Sequence, residues 1–346
     1  MSANNYQVKP NILAPPMPDD LYNEALKLFY IPSTIYNETS ISMYLCHILD
    51  KTKIPYIVDD YGNIIATKGE SSLYPCFCSH LDTVHLYPNG FKLLYQEEKN
   101  RKYLFACDNN KKSVGIGGDD KCGIFVCLYL LKRIDNIKVI FFSQEETGGI
   151  GSSNIDLKVF DDCKFLASID RWNGHDFIDK YNNETTISNT LKKQISSLLK
   201  KYDYFSNYGL FTDCFNIMER GIDLSCFNLS CGYYSHHSQN EYVDLNELYN
   251  ACLLCEEIAQ LPDRYGHKFK VKKFNVGKWD DYHAKWDNWK YDSFDYKKPS
   301  KDDKDFNDNA PSCENCGLEL LYYEKKYCTS CASYMLSDNE IDEMWK

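Results

Sequence analysis

Apolar and polar positions alternate along this chain in blocks that predict its elements. Residues 74–78, 138–142 and 164–169 are short apolar runs between polar segments, and each predicts a buried strand. Residues 122–134 are apolar nearly all round and too long for an ordinary strand, which predicts a buried helix between the first two strands. Leu21, Ala25, Leu26 and Phe29, then Met43, Leu45, Ile48 and Leu49, recur at helical spacings and predict two helices within residues 19–50. The turn signal Tyr61-Gly62-Asn63 separates residues 54–58 from 64–67, as in a hairpin. A further strand is expected at 224–229 and a helix at 245–260. Strands alternating with helices predict an α/β fold, a three-layer α/β/α domain around a central mixed sheet.

Beyond residue 263 the pattern changes. Residues 264–310 are charged and aromatic, hold three of the five tryptophans and show no clean periodicity, so they are read as an arm or linker. Residues 311–346 contain Cys313-x2-Cys316 and Cys328-x2-Cys331, the spacing of a four-cysteine zinc ribbon whose metal would supply much of the folding free energy of so short a segment. A structural role for this ribbon is preferred, and recruitment of a partner is the other reading. The expected organisation is a catalytic domain over 1–263, the arm, and the ribbon with its tail.

Composition narrows the function. Thirty-nine basic residues against 50 acidic ones give a net charge of −11, the wrong sign for a protein whose main partner is a phosphate backbone, so no nucleic acid is expected. The longest apolar run, residues 124–131, falls far short of the roughly 18 residues that cross a bilayer. The first twenty residues lack a basic segment followed by an apolar one, so a cytoplasmic protein without a membrane span is expected. In that compartment the 16 cysteines read as free thiols and metal ligands rather than disulfides. Cys76, Cys78, Cys122 and Cys127 lie in apolar runs, and Cys252-x2-Cys255 lies inside a predicted helix, so these are read as core residues.

Polar residues recur where the predicted strands end, the usual place for an active site in an open α/β sheet. They are Ser79-His80-Leu81-Asp82-Thr83-Val84, Gly115-Ile116-Gly117-Gly118-Asp119-Asp120-Lys121, Gln144-Glu145-Glu146-Thr147-Gly148-Gly149, Asp170, and His236-His237-Ser238-Gln239-Asn240-Glu241. Each alone has a bland reading: a surface pair, a helix N-cap, a solvated turn. As an ordered set, together with Leu28-Phe29-Tyr30-Ile31-Pro32-Ser33 and Tyr61-Gly62-Asn63, they resemble the zinc exopeptidase superfamily. These are co-catalytic di-zinc enzymes related to peptidase T, carboxypeptidase G and the aminopeptidases, and the resemblance covers roughly residues 19–261.

The resemblance implies that His80 and Asp170 bind one zinc, that Glu146 and His237 bind another, and that Asp119 bridges them. It also implies that Asp82 braces His80 and that Glu145 is the general base. Two zinc ions at about 3.5–4 Å can activate a bridging water and polarise a carbonyl, and a neighbouring carboxylate that is not a ligand can carry the proton. The expected cofactors are thus two catalytic zinc ions and one structural zinc. The expected activity is hydrolysis of amide bonds in small peptides, of aminopeptidase or di/tripeptidase type. N-acyl amino acid deacylation and a catalytically degenerate binding scaffold are the alternatives, and the oligomeric state is left open. Only 39 positions separate His80 from Asp119 and 67 separate Asp170 from His237, too few for the inserted lid or dimerisation domain of many relatives. Arg171 is read either as a substrate-carboxylate ligand or as a structural ion pair, while His85, His175 and His236 receive no role.

Overall fold

The computed structural model describes residues 14–35, 37–88 and 90–270. Cys313, Cys316, Cys328 and Cys331, with nearly all of the arm, lie outside the described residues. Two helices come first, α1 (Asp19–Phe29) and α2 (Thr39–Lys51), followed by strands β1 (Tyr56–Val58), β2 (Ile64–Lys68) and β3 (Tyr74–His80). Strands β4 (Lys92–Glu98), β5 (Arg101–Cys107) and β6 (Ser113–Val114) lead to α3 (Gly118–Arg133), β7 (Ile137–Phe142), α4 (Ile150–Asn154) and β8 (Cys163–Arg171). Next are β9 (Asp176–Tyr181), β10 (Glu184–Thr185), α5 (Asn189–Lys201), β11 (Phe205–Tyr208) and α6 (Asp213–Glu219). The described elements end with β12 (Cys226–Ser230), β13 (Tyr233–Tyr234), β14 (Tyr242–Asp244) and α7 (Leu245–Ala259).

The main sheet runs β1-β2-β7-β3-β8-β12-β9-β10, with β11 beside β9. Its centre is parallel: β3 pairs with β7 on one side and with β8 on the other, and β8 pairs with β12. Antiparallel strands flank it at β2 and β9, so the sheet is mixed, as expected. Because helices cover both faces, the central strands are apolar on both sides and read as continuous runs rather than alternating ones. In β7, Ile137, Val139 and Phe141 join the core shared with α1, α2, α3 and α7. Ile140 and Phe142 join a second core with Phe215 and Met218 of α6. The α3 helix is buried on every side from Gly118 to Leu131 because it lies against β3, β7 and β8 and under α7. Each large apolar side chain buried in this way is worth about 1.5–3 kcal/mol.

A second sheet, β13-β14-β5-β4 with β6 on β5, takes β4, β5 and β6 from between His80 and Asp119, β13 from before His237 and β14 from after it. The sequence pattern did not predict its hairpin. Strand β4 is exposed along almost its whole length, so burial imposed no alternation on it. The hairpin signal is instead local: a two-residue loop, Lys99-Asn100, with φ of 51° and 66° joins β4 to β5. Among the described residues no helix is long and apolar enough to cross a membrane.

Candidate metal centre

Parallel pairing of β3, β7 and β8 brings their C-terminal ends to one edge of the sheet, and the polar residues collect there. His80 is the last residue of β3 and only 1% exposed. Its Nδ1 lies 2.9 Å from the carbonyl of Asp82, and with that nitrogen donating, the Nε2 lone pair faces the cluster. The Asp82 carboxylate, 3.3 Å from Nδ1, is engaged mainly elsewhere. It accepts the backbone N–H groups of Glu145 at 2.9 Å and Glu146 at 3.2 Å, tying the turn after β7 to the end of β3. Of the two Asp82 groups beside Nδ1, the carbonyl is thus nearer than the carboxylate that the resemblance gives as the brace.

Asp119 sits at the start of α3, where its own backbone is not helical and its peptide bond to Asp120 is cis. The two oxygens of its carboxylate point to different partners. Oδ1 is 3.0 Å from His80 Nε2, which is also 3.6 Å from Asp170 Oδ1. Oδ2 is 3.3 Å from His237 Nε2, which is 2.9 Å from Glu146 Oε1. Donor atoms of His80, Asp119 and Glu146 all lie within 4.8 Å of one another, and so do those of His80, Asp120 and Asp170. Asp120 differs from the others because its oxygens already accept the N–H groups of His80 at 3.2 Å and Gly123 at 3.0 Å. His237 reaches the cluster from a left-handed backbone with φ of 58°, while the His236 ring stacks on Trp172.

The electrostatics follow from packing acids together away from water. Burial and the charge of Asp119 push Glu146 up to about 7 and raise Asp170 above the usual carboxylate range. Burial, with Asp170, Asp213 and Glu146 nearby, raises Glu145 well above that range, although His80 opposes the shift. Burial alone would raise Asp119 as well, but hydrogen bonds from His237 and His80 reverse this and hold it low. For His237, burial favours the neutral ring, and Asp119 with Glu146 overcomes it, pushing the imidazole up to about 11. A buried group of acids sharing two imidazoles needs positive charge. Its mixed carboxylate and imidazole donors, arranged as two sets around one shared carboxylate, make a candidate di-metal site for divalent cations.

Several supporting residues were not legible in the sequence. Asp170 accepts hydrogen bonds from Thr212 Oγ1 at 3.0 Å and from the Tyr233 hydroxyl at 3.2 Å. Asp213 is buried beside the site, and its Oδ1 has no hydrogen-bond partner among the described residues. Glu241, quoted in the sequence only as part of a motif, accepts the backbone N–H of Asp119 at 3.1 Å. These contacts join positions 42 to 122 residues apart, so no local spacing announces them. Arg171 forms an ion pair with Asp176 at 3.2 Å and lies over Trp172, in keeping with the structural alternative. Cys252 and Cys255 are buried in α7.

The chain matches no protein-family model and no curated protein. It is similar to solved structures of peptidases. Aminopeptidase PepT from Bacillus cereus shares 15% identity over 70% of this chain and 98% of its own, with a TM-score of 0.56. A tripeptidase from Staphylococcus aureus shares 14% over 71% of this chain and 98% of its own, with a TM-score of 0.58. For the TET1 peptidase of Pyrococcus horikoshii, described as assembling into a tetrahedron or an octahedral shell, the values are 16%, 70%, 100% and 0.53. At these identities the likeness speaks for architecture, and the chain therefore has the fold of the aminopeptidases and tripeptidases that its sequence motifs resemble.

Proposed function

We propose that this protein is a metal-dependent hydrolase of aminopeptidase or di/tripeptidase type, cleaving amide bonds of small peptides. The observation that carries the reading is the Asp119 carboxylate, whose two oxygens face two separate pairs of donors. His80 and Asp170 would hold one zinc, His237 and Glu146 the other, with Asp119 between them. When bound there, zinc would supply a polarised carbonyl and a water acidic enough to attack at neutral pH.

The remaining steps belong to side chains. Glu145 is not one of the paired donors, yet its backbone is anchored beside them through Asp82. Its carboxylate accepts the proton of the attacking water and returns it to the leaving amine. Burial raises its proton affinity, and nearby cations would lower it again toward the working pH. The Nδ1 contact to the Asp82 carbonyl keeps the His80 ring oriented.

The test is release of free amino acids from a library of short peptides, followed by mass spectrometry, using protein stripped of metal and then reloaded with zinc. Turnover that returns with zinc supports the reading. Cleavage of N-acyl amino acids without peptide cleavage would replace it with deacylation. Full loading with no hydrolysis of either class would favour a binding role.

A further inference from the structure

Glu241 is 1% exposed and immediately precedes β14. Its carboxylate spans the glycine turn that leads into α3. Oε2 accepts the backbone N–H of Gly117 at 2.7 Å, and Oε1 accepts that of Asp119 at 3.1 Å. His85, which received no role from the sequence, meets the same carboxylate with Nε2 2.9 Å from Oε2. The turn is shaped around these two side chains. Gly117 has a left-handed φ of 71°, and a side chain on Gly115 would begin 2.1 Å from the His85 ring. A Cβ on Gly118 would come within 2.7 Å of Tyr233 Cβ and 3.4 Å of Glu241 Oε1. Glu241 hydrogen-bonds the backbone N–H groups of Gly117 and Asp119, and the His85 ring packs against it without a hydrogen-bonding geometry, so Glu241 acts on the donor cluster through the Asp119 backbone.

We infer that Glu241, backed by His85, is a positioning residue that fixes the backbone of residues 117–119 so that both oxygens of Asp119 stay aimed at the two donor pairs. The inference rests on the proposed reading of Asp119 as the shared ligand. A shared carboxylate tolerates little rotation, because turning it toward one imidazole withdraws an oxygen from the other. Holding its backbone N–H with a buried carboxylate removes that freedom before any metal arrives. Groups that orient metal ligands in this way typically change metal affinity by about 10- to 100-fold when removed.

The test uses the full chain stripped of metal and titrated with zinc against a competing chelator. Glu241→Gln keeps the shape but presents an amide N–H to one of the two backbone N–H groups. His85→Gln is a milder variant at a partly exposed ring, should Glu241→Gln fail to fold. Any zinc held by the four terminal cysteines is common to all variants and cancels. Expected is an affinity roughly 10- to 100-fold weaker for Glu241→Gln and a smaller loss for His85→Gln. The cobalt-loaded variants should show altered visible bands, and kcat should fall with little change in KM. Wild-type zinc affinity and cobalt spectrum in the folded variants would overturn the inference alone. A wild-type chain that binds no zinc beyond its cysteines would overturn it together with the proposed function.

Discussion

In the proposed reading Glu145 and Glu146, adjacent in sequence, take different tasks. Glu146 Oε1 lies 2.9 Å from His237, whereas Glu145 is left without a paired donor. Replacing Glu145 with Gln should lower kcat by about 10²- to 10⁴-fold while zinc content, measured by elemental analysis, stays the same. Glu146→Gln should instead weaken zinc binding, and excess zinc should recover part of its activity. Glu38 provides a pH test in the metal-free protein. Its Oε1 accepts the N–H of Gln144 at 2.7 Å, and burial with the nearby Asp82 charge pushes its pKa from 4.5 to about 7. Between those values the folded protein holds a proton that the unfolded chain releases, so the stability linked to this group is lost as pH rises through 7. Glu38→Gln retains the acceptor and should remove that loss. Its melting temperature relative to wild type should climb between pH 5 and pH 8 by roughly 2 to 8 °C, about 1 to 2 kcal/mol after allowing for screening. An unchanged difference across that range would mean that Glu38 is ionised in the folded protein throughout.

At the level of elements, the turn before α3 is held from three directions. Glu241 takes its backbone N–H groups, and Asp120 links it to β3 through the His80 N–H. Lys121 is 0% exposed, burial holds its pKa well below the usual lysine range, and its Nζ donates to Phe29 O at 3.2 Å, to Ile31 O and to the Tyr87 hydroxyl. Phe29 O is one of the open carbonyls at the end of α1. Lys121→Met keeps the bulk but leaves buried carbonyls unpaired, at a cost of about 2 to 4 kcal/mol. Calorimetry should then find a melting temperature lower by roughly 4 to 15 °C. The helices at 19–50, α3, α7 and the central strands were legible because burial on one or both faces stamps a period or an apolar run on them, and the β1–β2 hairpin because its turn carries Gly62 and Asn63, although β1 is largely exposed. The α5 helix carries only a sparse signal, Leu191, Ile195 and its Ser188 N-cap, which accepts the Leu191 N–H at 3.2 Å. Strands β10 and β11 are short and join the sheet at its margin beside β9, so their pairing is decided by what lies beside them.

For the whole molecule, elemental analysis should find up to three zinc ions per chain, two lost with Asp119→Asn and one with the ribbon cysteines replaced. A chain that holds a single zinc, lost with those cysteines even after zinc is added back, would remove the two-metal centre. The class of fold could be read from the chain because burial leaves apolar runs of recognisable length, whereas His80, Asp119, Glu146, Asp170 and His237 stand out only as an ordered set, through the resemblance to the zinc exopeptidases, since each alone has a bland reading. Which of two adjacent histidines turns inward could not be derived from spacing alone, because it depends on a left-handed backbone at His237. The direction of the two Asp119 oxygens depends on Glu241, 122 residues away, and on the parallel register that brings β3, β7 and β8 to one edge. Distances of a few ångströms between groups so far apart in the chain are products of packing, and the side chains that share a buried charge are chosen only when the sheet has closed around them.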